Sequence, residues 1–244
     1  SFLCLFAADG FGGLEHADST TLLMGRAALT TEKGYREFLS LAAHELFHAW
    51  NVKRLRPVEF WRYDYENENY TPSLWIAEGF TAYYDDLLVR RAGFSSDTEY
   101  LEIFSKHIND LQNIEGRAHQ SLSASSYDAW IKFYRPDENS NNSSISYYMK
   151  GPIVAFLLDA EIRSRRPDSG GLDEVMRRAY AKYAGTSGYS EPEFRAVVNE
   201  VAGADLSGFF AKYVDGHQEL DYSLALKTFG LRFKKADSKD ADLA

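Results

Sequence analysis

With 244 residues, 45% hydrophobic and 15% aromatic, the chain can bury a substantial core as one large domain or one domain of two lobes, which excludes intrinsic disorder. Its net charge of −9 weighs against nucleic acid and anionic membrane surfaces, both of which reward clustered Lys and Arg, and says little about a peptide substrate. The one cysteine, Cys4, excludes an intrachain disulfide and leaves reducing and oxidising compartments both open; in an apolar run it reads as a buried thiol, not a nucleophile.

No run approaches the roughly 18–20 apolar residues of a membrane span, and the first residues lack a secretory signal's charged start and cleavage site. The chain opens inside a strand, as a piece of a longer protein would. Residues 1–8 read as that buried strand, residues 9–13 as a glycine-rich turn, and residues 20–24 as another strand. Gly10, Gly12 and Gly13 would let backbone come close, as where an edge strand receives an extended peptide. A plain hairpin loop has the same composition, and the residues alone favour it.

A turn around Gly34 precedes a helix from Tyr35, in which Phe38, Leu39, Leu41, Ala42, Leu46 and Trp50 recur at spacings of three and four, with no proline before Pro57. Within it lies His44-Glu45-Leu46-Phe47-His48. Two histidines one helical turn apart can ligate one ion at about 2.0–2.1 Å. Glu45 then lies beside the metal, where it can take a proton from the attacking water.

A basic cluster, residues 52–57, leaves this helix, and residues 60–70 interleave aromatic with acidic and amide side chains as a long surface loop. Ser73 is the expected N-cap of a second helix that Gly93 stops. Near its start Glu78 sits among Trp75, Ile76, Ala77 and Phe80. A carboxylate in such company needs a partner, and a metal repays the desolvation. With the two histidines upstream, Glu78 is the best third ligand. Two imidazoles and one carboxylate leave a fourth position open, the catalytic arrangement.

From Ser95 the pattern is mainly helical, over residues 97–115, 127–133, 146–165, 172–184, 191–201 and 206–214, with an Asn/Ser-rich loop at 135–144 and a last short strand at 230–233. His107, His119 and His217 have no partners at ligand spacing. The fold class expected is α+β, mainly helical: a metal-binding lobe with a small sheet (1–93), a helical lobe of the same catalytic domain (94–233), and a frayed or linker-like tail (234–244).

Four segments resemble the glycyl aminopeptidase family, zinc peptidases of the gluzincin group: G-G-L-E-H at 12–16, H-E-L-F-H-A-W-N-V-K-R-L-R-P at 44–57, L-W-I-A-E-G-F-T-A-Y-Y at 74–84, and Y-Y-M-K-G at 147–151. The resemblance implies a thermolysin-like catalytic domain in which His44, His48 and Glu78 hold one Zn2+ and Glu45 is the general base and acid. The chain is also similar to larger aminopeptidases of the leukotriene-hydrolase type, where a G-x-M-E-N segment binds the substrate's free amine and a tyrosine of a Y-x-K-G segment stabilises the transition state. By position, Glu15 is then the amine anchor, with Gly12 and Gly13 beside the peptide, and Tyr148 is the stabiliser. Tyr147 is its rival, because adjacent helical side chains cannot both face a cleft. His16 stands where those enzymes have asparagine, and the 29 residues between His48 and Glu78 are a longer insert than theirs. The family also implies a preference for Gly or Ala as first residue, and a flanking N-terminal β-domain and C-terminal PDZ domain outside this segment. Two other readings compete with a zinc aminopeptidase. One is a zinc endopeptidase in which Glu15 is an ordinary loop acid; the other is a non-catalytic peptide-binding or scaffolding module, against which Glu45 argues, since metal retention needs no base.

Overall fold

Strands β1 (Leu3–Ala7), β2 (Phe11–Glu15) and β3 (Ser19–Met24) form a mixed sheet in the order β1-β3-β2, with β1 parallel and β2 antiparallel to β3. The computed structural model describes residues 3–7 and 10–234, so the burial expected for the first strand and for Cys4, and the tail expected beyond Lys234, lie outside the described residues. On β3, Thr20, Leu22 and Met24 point inward at 1%, 0% and 2% exposure, the two-residue alternation of a half-buried strand. This face packs on Leu41, Phe38 and Ala42 of helix α1 (Glu32–Phe47). The segment expected to be a glycine turn is in fact β2, paired to β3 with Gly12 opposite Leu23 and Gly13 opposite Leu22. Of its two glycines, Gly13 leaves room for a neighbour and Gly12 takes a positive φ of +151°.

Helix α1 begins three residues before Tyr35, because the Thr31 hydroxyl accepts from the Gly34 amide at 3.0 Å and caps it. Gly34 lies within the helix, and its missing side chain leaves room for the Ala28 carbonyl oxygen, which a Cβ would approach to 2.0 Å. The single helix expected from Ser73 is two, α2 (Leu74–Ala77) and α3 (Gly79–Arg91), parted at Glu78. Ser73 holds the N-cap position of α2 as expected, but its hydroxyl makes no capping bond; the Trp75 amide donates instead to the Ser126 hydroxyl at 3.0 Å, from 51 residues away. The break is held by Asn51, whose side-chain amide donates to the carbonyls of Ile76 and Ala77 at 2.9 and 3.1 Å.

The remaining helices are α4 (Asp97–Gln112), α5 (Leu122–Tyr127), α6 (Ser140–Ser143), α7 (Tyr147–Arg165), α8 (Leu172–Tyr183), α9 (Glu191–Ala202), α10 (Ser207–Tyr213) and α11 (Ser223–Phe229). The helix expected at 127–133 is a π-helical turn, Ala129–Phe133, and α6 occupies part of the expected loop. No strand forms at 230–233: Gly230, at φ +68°, closes α11, and Leu231 packs on the helical core. Helix α7 is buried all round from Ile153 to Leu158, as befits the central helix of a bundle. It crosses α3 where Gly79 meets Gly151; a Cβ on Gly79 would stand 2.7 Å from the Gly151 Cα. That crossing brings the start of α7 to Glu78. Among the described residues no helix is long and apolar enough to cross a membrane.

Lys150, on α7, is 1% exposed and its ammonium has no hydrogen-bond partner. Burial pushes it down to about 8 from 10.5, with Glu219 opposing. The folded state therefore binds fewer protons than the unfolded state between those values, so this group's destabilisation is full below pH 8 and fades as pH rises to 10.5. Lys150→Met is expected to raise stability at pH 7 by about 1–3 kcal/mol, with the gain shrinking above pH 8 in denaturant titrations. Equal stability of the two proteins at pH 7 would show that the ammonium finds compensation.

Candidate active site

The last turn of α1 presents His44, Glu45 and His48, and the α2–α3 break presents Glu78 to them. The Glu78 Oε2 lies 3.4 Å from the His44 Nε2 and 3.2 Å from the His48 Nε2. The two imidazoles meet edge to face, 4.8 Å between ring centres. Each is aimed by its other nitrogen: the His44 Nδ1 is 3.1 Å from the Asp85 carboxylate, and the His48 Nδ1 is 2.9 Å from the Asn51 carbonyl oxygen. A carboxylate or carbonyl on Nδ1 fixes the tautomer that leaves Nε2 free as a ligand.

This group fits a metal ion. Its donor atoms all lie within 4.8 Å of one another, and the buried Glu78 Oε2 points at both imidazole Nε2 atoms. Burial would lower His44, but hydrogen bonds to Asp85 and Glu78 outweigh it and push the imidazole up to about 10. Burial would likewise raise Glu78, but His48 and His44 hold its carboxyl well below the usual range. The cluster therefore calls for positive charge at its centre, and two imidazoles with one carboxylate suit zinc. Asp85 and Asn51 were not picked out in the sequence. The usable signal was Asp85's place seven residues after Glu78, two turns along one helix face.

Glu45 is 5% exposed, and its Oε2 is buried without a partner. Burial pushes its carboxyl up to about 7, with Glu15 and Glu78 adding to the rise and His44 and His48 opposing it. Strand β2 passes directly over it. A Cβ on Gly13 would come within 2.1 Å of the Glu45 Oε1, so any side chain there would have to displace the acid beneath it. Gly12, at φ +151°, also has a backbone that favours glycine. On its other side β2 is an edge strand among the described residues, with Phe11 and Leu14 exposed, open to an extended peptide.

Of the two tyrosines at the start of α7, Tyr148 faces the cluster. Its ring lies 6.2 Å from that of His44, and its hydroxyl is in hydrogen-bonding reach of Glu78. Burial, then Glu78, push that hydroxyl well up, so it remains a proton donor. Tyr147 is 1% exposed and packs in the core against Phe133, 5.4 Å between rings.

Glu15 is close to the cluster but already partnered. One of its carboxylate oxygens lies within 4.8 Å of ligand atoms of Glu45 and His48, and its Oε1 is 3.1 Å from the Lys53 Nζ. Lys53 follows Val52, the one non-glycine residue at positive φ among the described residues, at +138°. A β-branched residue there costs about 1–3 kcal/mol, which the surrounding turn must hold.

Residues 37–154 match the family of M61 glycyl aminopeptidases. Among solved structures, the crystal structure of an aminopeptidase N family protein from Idiomarina loihiensis aligns with a TM-score of 0.88 and 36% identity over 94% of this chain. The chain spans 40% of that protein's length. No curated protein matches it.

Proposed function

Because the chain belongs to the glycyl aminopeptidase family, we propose that it carries the catalytic machinery of a zinc-dependent aminopeptidase favouring a small first residue. The observation that carries this reading is the convergence of His44, His48 and Glu78 with an unpartnered, buried Glu45 beside them. Residues 1–93 form the metal-binding lobe and 94–233 the helical lobe of one thermolysin-like catalytic domain.

Zinc held by His44, His48 and Glu78 would activate water and polarise the scissile carbonyl. Asp85 and Asn51 keep the imidazoles turned inward. Glu45 takes the water's proton and later delivers it to the departing nitrogen. The Tyr148 hydroxyl donates to the developing oxyanion, and one such donor in a dry cleft is worth about 3–4 kcal/mol. The peptide lies along the free edge of β2, Gly12 and Gly13 letting it approach, and its terminal ammonium pairs with Glu15. The small-residue preference rests on the family alone.

The test compares free and N-acetylated peptides of the series Gly-X, Ala-X and Leu-X. An acetylated terminus brings no charge to Glu15 and should lose about 1–3 kcal/mol of transition-state binding, roughly 10- to 100-fold in kcat/KM. Glu15→Gln should abolish most of that discrimination. Equal cleavage of both series by the parent would make the protein an endopeptidase, and discrimination surviving in Glu15→Gln would move the amine anchor elsewhere.

A further inference from the structure

The catalytic reading leaves the Glu15–Lys53 ion pair and the strained turn before it without a task. Both side chains are about one-fifth exposed, at 21% and 20%, so the pair lies at the mouth of the site, partly shielded from water. The turn that closes α1 delivers the lysine there. The Lys53 amide donates to the His48 carbonyl at 3.0 Å, the Leu55 amide donates to the Trp50 carbonyl at 2.8 Å, and the Val52 side chain, 5% exposed, anchors the unfavourable backbone between them. A relaxed turn would let a lysine stem wander into solvent. This one aims it back across the second histidine's turn onto β2.

The Glu15 carboxylate thus holds an ammonium group at 3.1 Å, the distance and charge at which a peptide's own terminus would sit. We propose that Lys53 is a specificity-determining residue that occupies the ammonium subsite of Glu15 until a substrate's N-terminal ammonium replaces it. The inference rests on the reading of Glu15 as the amine anchor. Exchange of one ammonium for another leaves the charge at Glu15 balanced throughout. A peptide without a free amine has nothing to exchange, so Lys53 stays in place and the blocked terminus meets a cation and a satisfied carboxylate. A lysine suits the task because it is a point charge on a flexible four-carbon stem; an arginine would grip the carboxylate with two parallel bonds and yield less readily. The ring of Tyr63, 5.8 Å from the Lys53 Nζ and 5.4 Å from the Arg56 guanidinium, attracts cations beside the pair, so the lysine keeps a contact when Glu15 releases it.

The experiment is steady-state kinetics on free and N-acetylated Ala-X peptides with the parent, Lys53→Met, Lys53→Arg, Glu15→Gln and the Glu15→Gln/Lys53→Met double variant. Removing the internal competitor should lower KM for the free peptide by about three- to tenfold in Lys53→Met, with kcat moving less, and should widen the gap to the acetylated peptide. Lys53→Arg should raise KM for the free peptide. In the Glu15→Gln background Lys53→Met should leave KM where it was, because the lysine then has nothing to mask. A KM that rises in Lys53→Met would overturn the proposal and make Lys53 a support that positions Glu15; so would an equal KM change in both backgrounds. If Glu15→Gln keeps the parent's discrimination, it is the anchor reading that fails, and the proposal with it. Should Lys53→Met fold poorly, Lys53→Gln, which keeps the stem and loses the charge, repeats the comparison.

Discussion

Glu45→Gln is expected to lower kcat by about 10²–10⁴-fold while the protein retains its metal and its thermal stability. The carboxamide keeps the shape of the side chain beneath Gly13, where nothing larger could fit, and removes only its basicity. Stability should hold because the substitution takes a charge out of a buried position whose Oε2 has no partner. The pH profile of the parent supplies an independent check. As the proposed general base Glu45 must be ionised to act, so kcat/KM should fall as pH drops through its folded value. Burial sets that value at about 7, and a divalent cation alongside would draw it lower, so the acid limb should lie at or below pH 7. Kinetics and metal content measured on the same preparation decide the matter. A Glu45→Gln enzyme with near-parental kcat would remove the general base from the mechanism, whereas loss of metal in that variant would make Glu45 a ligand.

The parts of this site that could be read from the sequence are those whose cause is local. His44 and His48 are one helical turn apart with Glu45 between them, so the helical period alone puts both imidazoles on one face, and Glu78 could be suspected from the apolar residues next to it in the chain. What escaped notice depends on contacts distant in sequence. The α2–α3 break at Glu78 is bridged by Asn51, and the hydroxyl that accepts from the first turn of α2 belongs to Ser126, not to the N-cap residue Ser73. Gly12 and Gly13 read as a turn because glycine is the usual turn residue, yet both pair with β3, and the space a side chain at Gly13 would need is filled by Glu45, 32 positions on. Residues 230–233 read as a strand from their apolar character, but Leu231 covers the helical core and Phe233 packs on Tyr222, 5.6 Å between rings. The Lys53 partner of Glu15 was hidden for the same reason: it comes from a turn whose backbone strain at Val52 no local pattern announces.

Loss of a metal ligand is expected to have the largest effect. Alanine at His44, His48 or Glu78 should each abolish stoichiometric metal and reduce turnover to background, since a first ligand lost from a three-residue site takes much of the binding energy with it. Asp85→Ala should be milder, weakening the metal by about 10- to 100-fold, because it removes only the group that aims the His44 ring. Chelation of the parent should lower Tm, and added zinc should restore it, as an ion that binds only the folded state must stabilise it. The ranking matters more than any single value. His48 belongs to two clusters, one with His44 and Glu78 and one with Glu15 and Glu45, so its loss cannot tell them apart. Glu78→Ala and Glu15→Ala can. The ion pair with Lys53 satisfies the Glu15 carboxylate, while the buried Glu78 Oε2 sits against both imidazole Nε2 atoms, so the metal should be lost in Glu78→Ala and kept in Glu15→Ala. Metal analysis giving the reverse would transfer the ion to the second cluster, and with it the role of Glu45 from proton carrier to ligand.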